Sequence, residues 1–212
     1  MPESRAIAMH LSRHPPSIGI EIFSGFVKAL EESRIATNRD PATGTKLPGL
    51  SQASWLGAIG YMALLDQIGS CFKPRVEPIQ PGNTISKALH YFSTLTASEI
   101  DALYALRCAF AHDFSLYNIN HNNSALTHCF KVSGGASGSI VTLPTQRWSG
   151  NYQNKPDDAH TVINLELFGD LVESICVKLF SLANSVDLDV ALEGGSDELL
   201  QRYAFFRKHQ ED

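Results

Sequence analysis

One stretch concentrates side chains able to do chemistry: Leu103-Tyr104-Ala105-Leu106-Arg107-Cys108-Ala109-Phe110-Ala111-His112-Asp113-Phe114. An arginine and a histidine bracket four apolar residues on a segment whose other apolar positions recur at helical spacing. Burying an unpaired guanidinium costs several kcal/mol. Arg107 therefore requires a carboxylate, an open cleft or a bound phosphate, and Glu99, Asp101 and Asp113 are carboxylates within reach along the chain. A salt bridge to a neighbouring helix, with His112 bonding a carbonyl near the helix end, would account for the same pattern without catalysis.

The remaining reactive groups are dispersed. His121 and His128 follow His112 at nine- and seven-residue steps with asparagines between them, and no carboxylate or thiolate stands at metal-ligand spacing. His128 is expected to be half-buried on a strand and His121 solvated. Cys71, Cys108, Cys129 and Cys176 lie 37, 21 and 47 residues apart among apolar neighbours, without a CxxC pair, so they are expected as free, small hydrophobes. No P-loop, dinucleotide fingerprint or GxSxG elbow occurs. The expectation is a site without metal or cofactor.

The elements that must position Arg107 and His112 are mainly helical. Thr96-Ala97-Ser98-Glu99 reads as a capping box, in which hydroxyl and carboxylate satisfy free amides at a helix start. Ile100, Leu103, Leu106 and Phe110 continue from it as one buried stripe, ending around 112–118. Further helices are expected over 17–35 with Ser17 as cap, over 51–72, at 86–93, over 162–183, and over 196–209 with Ser196 as cap. Glycines and prolines mark 36–50 as loop. Segments 125–133 and 139–148 alternate like strands around Gly134-Gly135-Ala136-Ser137-Gly138, which predicts a hairpin. The architecture expected is mainly α, a helical bundle with a β-hairpin inserted before its fourth long helix. It forms one domain over 1–212, with 119–160 as the insertion.

On an ideal helix, five residues turn Arg107 and His112 about 140° apart. Either the helix ends or distorts before His112, or a second copy of the chain completes the site.

Arg107-x4-His112, near the end of a helix in a four-helix arrangement, resembles the R-x(4–6)-H motif of HEPN domains (higher eukaryotes and prokaryotes nucleotide-binding). The resemblance covers roughly 17–118 and 162–183 and leaves the hairpin and the last helix unaccounted for. It implies a metal-independent endoribonuclease, usually a homodimer, in which Arg107 holds the scissile phosphate and His112 transfers the proton. Asp113 or Tyr117 would orient the motif. Cys108 stands where the family commonly has a polar residue beside the arginine, and Phe114 where one toxin branch has a modifiable tyrosine. Histidine, ordinarily titrating near pH 6.5, can exchange a proton with a ribose 2′-hydroxyl at neutral pH, and a guanidinium can hold a phosphate through two parallel hydrogen bonds. The implied partners are RNA, a second copy and an antitoxin or other regulatory protein, in a toxin–antitoxin or anti-phage role. The alternative is a non-catalytic module of the same kind that binds RNA, a nucleotide or a protein.

Composition sets the outer bounds. The chain has 212 residues, 43% hydrophobic and 18% charged, enough for a core without metal or disulfide staples. No apolar run reaches the roughly 20 residues of a membrane span, and a cytoplasmic protein without membrane contact is expected. Net charge is −5, made of +2 over 1–95, +1 over 96–155 and −8 over 156–212. Indiscriminate binding to phosphate backbones is excluded, and any nucleic-acid contact must be local, on the first three quarters of the chain.

Overall fold

A computed structural model of the protein describes residues 1–12 and 20–208, with backbone alone at 20–22 and 206–208. Its elements run α1 Glu3–Leu11, β1 Ile20–Ser24, α2 Gly25–Ala36, α3 Trp55–Cys71, β2 Phe72–Pro74, α4 Thr84–Phe92, α5 Ala97–Asp113, β3 Tyr117–Asn118, β4 His128–Ser133, β5 Val141–Thr142, β6 His160–Asn164, α6 Leu165–Asn184, β7 Leu188–Val190, α7 Gly195–Tyr203 and β8 Ala204–Lys208. The described residues are mainly α-helical, with a small four-stranded sheet and two short two-stranded ribbons.

Local signals fix the helix starts. The Thr96 hydroxyl accepts from Glu99 N while the Glu99 carboxylate accepts from Thr96 N, the reciprocal cap expected for α5. Ser54 caps α3, Asn83 caps α4 and Asn164 caps α6. Expectations shift at both ends of the chain. The helix expected over 17–35 begins only at Gly25, capped by Ser24, because 20–24 form a strand paired with β8; Ser17 lies outside the described residues. The last helix starts from Gly194 rather than Ser196 and gives way to β8 at Ala204. Helix α1, which the sequence did not announce, buries Ala6, Ile7, Met9 and Leu11.

The expected hairpin is corrected. Strands β4 and β5 do not pair with each other; β6 lies between them, parallel to β4 and antiparallel to β5, in the order β3-β4-β6-β5. The glycine loop after β4 crosses the start of α6 instead of turning back. Glu166 Oε2 accepts from Gly135 N at 3.1 Å, and Asn164 Nδ2 donates to Gly135 O at 3.0 Å. Gly135 takes φ 123°, where a side chain would be strained. Phe130, Val141 and Ile163 from this sheet join the main hydrophobic core with α3, α4, α5 and α6.

A lattice of ion pairs ties α2 and the loop after it to α6. Glu166, Asp170 and Glu173 lie four and three residues apart, on one face of α6. Arg34 pairs with Glu173 through two bonds of 2.9 and 2.7 Å, and Tyr61 Oη donates to the same carboxylate. Arg39 reaches Asp170 at 2.8 Å, and Lys46 bridges Glu166 and Asp170.

Candidate functional site

Helix α5 carries both motif residues and runs unbroken through them to Asp113. The carboxylate opposite Arg107 is Asp66 of α3: Arg107 Nε donates to Asp66 Oδ2 at 2.8 Å, and Thr84 Oγ1 donates to Oδ1. None of the three carboxylates nearer in sequence takes this place; Glu99 is spent in the helix cap. Burial works against the charge on Arg107, but Asp66 more than offsets it, so the guanidinium pKa is raised. Its hydrogen bonds among the described residues end at Nε, leaving the two terminal nitrogens able to donate. Arg107 and Asp66 open onto a groove between α3 and α5, lined also by Ile59, Met62, Ala63, Phe110 and Ala111.

His112 sits exposed in the last turn of α5, without a hydrogen bond to any described residue, and Asp113 ends the helix beside it, also exposed. Because the helix continues through both, distortion before His112 is not how Arg107 and His112 meet; their azimuths stay about 140° apart. Phe114 follows with φ 51°, and its ring packs on Trp55 and Phe110 at 5.4 and 5.9 Å. The Phe114 N–H caps the carbonyls of Ala109 and Phe110, the left-handed closure usually given to glycine.

The supporting residues face other partners. Half-buried Cys108 lies against the Tyr104 hydroxyl, whose pKa is raised by that hydrogen bond first and by burial second. Tyr117 belongs to an aromatic cluster with Trp148 and Tyr152, ring centres 5.5 and 5.3 Å away, and its hydroxyl accepts from Lys155 Nζ at 3.1 Å. No hydrogen bond or ion pair among the described residues joins Arg107, His112, Asp113 and Tyr117 to one another.

The other histidines separate by role. His128 is buried, with both ring nitrogens engaged, Nδ1 by Thr161 Oγ1 and Nε2 by the Ala125 carbonyl, and burial lowers its pKa. It is a structural residue, more deeply placed than expected. His121 is exposed and lines a surface cavity with Arg147. All four cysteines are free. Among the described residues no cluster of three or more His, Cys, Asp or Glu side chains is arranged to hold a metal ion, and no helix is long and apolar enough to cross a membrane.

The sequence matches no protein-family model, and no curated protein and no solved structure is significantly similar to it. Function is therefore argued from the residues themselves.

Proposed function

We propose that the chain is an HEPN-like, metal-independent endoribonuclease acting as a homodimer, with Arg107 of one copy and His112 of the other facing one cleft. The supporting observation is a guanidinium with two uncommitted nitrogens in an open groove, five residues before a solvent-facing imidazole on the same regular helix. On one regular helix the two groups leave about 140° apart, which favours a site completed by a second copy. The rim of the groove favours such a contact. Leu56, one turn before Ile59, is 68% exposed, and Phe114 is 52% exposed, apolar surface that a second copy would cover.

In the proposed reaction the RNA 2′-oxygen attacks the adjacent phosphorus and the bond from phosphorus to the 5′-oxygen breaks. This leaves a 2′,3′-cyclic phosphate and a 5′-hydroxyl. His112 takes the 2′ proton or delivers one to the leaving oxygen, and water exchanges the other proton. Arg107 neutralises charge accumulating on the phosphate, with Asp66 fixing the orientation of its fork. An antitoxin or other regulatory protein would act by covering this groove. RNA cleavage that persists in chelator, leaves a cyclic phosphate and disappears with His112→Ala is the expected result. Undiminished cleavage by that variant would remove the assignment. A second reading, a non-catalytic RNA-binding module of the same type, is favoured by one feature: Asp66 already neutralises Arg107 in the groove.

A further inference from the structure

From Phe114 to Pro156 the chain has no Asp or Glu in 43 residues, yet it holds Lys131, Arg147, Lys155, His121 and His128. The segment carries +3 in a protein of −5, so the rest of the chain carries 14 Lys and Arg against 22 Asp and Glu, or −8. This segment departs from α5 just after His112 and folds beside the same helix: Ser98 and Asp101 of α5 line a cavity together with Thr127, Arg147 and Trp148.

Three features of a single-strand binding surface meet there. A neighbouring cavity of about 410 Å³ is lined by Ile119, Asn120, His121, Ser124, Arg147 and Trp148 among others, with no carboxylate; its size suits a nucleotide-sized ligand. Arg147 Nη1 donates to Ser124 Oγ at 3.3 Å, and both residues line this cavity. Next to it stands the aromatic cluster. Trp148 is buried and anchored through Nε1 to the Asn151 carbonyl, while Tyr152 packs edge-on against it at 5.5 Å and remains 52% exposed. Lys155 lies over the Tyr117 ring at 5.2 Å. Three acidic side chains border the surface: Asp158 accepts from Thr145, exposed Asp157 pairs with Lys131 at 3.5 Å, and Asp101 lines the adjoining cavity that shares Thr127, Arg147 and Trp148.

We infer that the acid-free segment is the RNA-binding surface of the protein, with phosphates held at Arg147 and Lys155 and a base stacked on Tyr152. Aromatic platforms joined to cations bind single strands with little regard for sequence, because every base has a π-face. Asp101 lies eleven residues before His112, about 16 Å along the helix axis, a span that a few nucleotides can cover. The inference rests on RNA being the ligand of the proposed cleft, and it supplies the grip that Arg107 alone does not.

The test uses the wild-type chain and a fluorescent 2′-O-methyl oligouridylate of about a dozen nucleotides, which cannot be cut by 2′-oxygen attack. Tyr152→Ala is expected to weaken binding about tenfold. Arg147→Ala with Lys155→Ala is expected to reduce the slope of log K against log salt by about 1.4, or 0.7 per lost phosphate contact on a single strand. Helical circular dichroism should be unchanged, since these side chains lie on the surface. Affinity and slope unaltered in all variants, or no binding by the wild type, would overturn the inference. If wild type binds through these residues yet never cuts unmodified RNA, the inference stands and the nuclease reading falls. If it cuts while the variants bind normally, the reverse holds.

Discussion

Arg107 and Arg34 illustrate how differently two ion pairs weigh on one molecule. Arg107 meets Asp66 through one bond with about a third of its side chain exposed, whereas Arg34 meets Glu173 through two bonds with both side chains largely covered. Solvent screens the first pair, so Asp66→Ala should cost about 1 kcal/mol of stability. Glu173→Ala leaves a covered guanidinium and the Tyr61 hydroxyl without their acceptor and should cost about 3–5 kcal/mol. Urea denaturation of both variants checks the ordering, and equal losses would refute it. Asp66 instead bears on function: in an RNA-cleaving protein, Asp66→Asn should lower kcat by about tenfold with little loss of stability, because the guanidinium loses its orientation. Assayed turnover and melting temperature together separate the two effects. The motif pair was legible in the sequence because it is local. Asp66 was not singled out, because it lies 41 residues away; the signal that could have found it is that it is the one charged residue of α3.

Helix α5 and strand β4 show which elements a sequence exposes. The capping box at Thr96 is closed within four residues, so residue types alone revealed it; Thr96→Ala should destabilise the protein by about 1 kcal/mol, measured as a lowered urea midpoint with unchanged slope. The alternation of 125–133 likewise announced a strand, but period two says nothing about the neighbour. The actual neighbour, β6, was hidden because Ile163 and Leu167 keep helical spacing straight across the Asn164 cap. A hairpin could be cut out as an appendage; this sheet cannot, since Phe130 and Val141 lie in the main core. Deleting 125–148 is expected to abolish cooperative unfolding and reduce helical circular dichroism. Retention of both would show that the segment is dispensable to the fold.

At the scale of the whole molecule, acid should loosen the fold through His10. Its ring is buried among Phe26, Phe72 and Tyr203, with Nδ1 lacking a partner among the described residues, and burial pushes its pKa down to about 4. The unfolded chain takes up this proton near pH 6.5 and the folded chain only near 4. His10 therefore contributes fully above pH 6.5, and its contribution falls as pH drops to 4, a loss of about 3 kcal/mol in all. Below that range Asp170 adds to the loss: burial raises its pKa, but Lys46 and Arg39 override this and hold it below the usual value. Unfolding free energies at pH 7 and pH 5 should differ by about 2 kcal/mol, and His10→Phe should flatten that difference. Neither His10 nor the ion-pair lattice could be read from the sequence, since both depend on which distant surfaces close over them. The same scale holds the central claim, a cleft shared by two copies. It is tested most directly by mixing Arg107→Ala and His112→Ala chains under conditions that exchange subunits and measuring RNA cleavage in chelator. Each variant alone should be inactive; exchange of equal amounts makes half of the dimers mixed, and one of the two clefts in each keeps both groups, so the mixture should recover about a quarter of wild-type activity. A mixture as inactive as its components, alongside an active wild type, would contradict the shared cleft, and a wild type that never cuts RNA would contradict the nuclease itself.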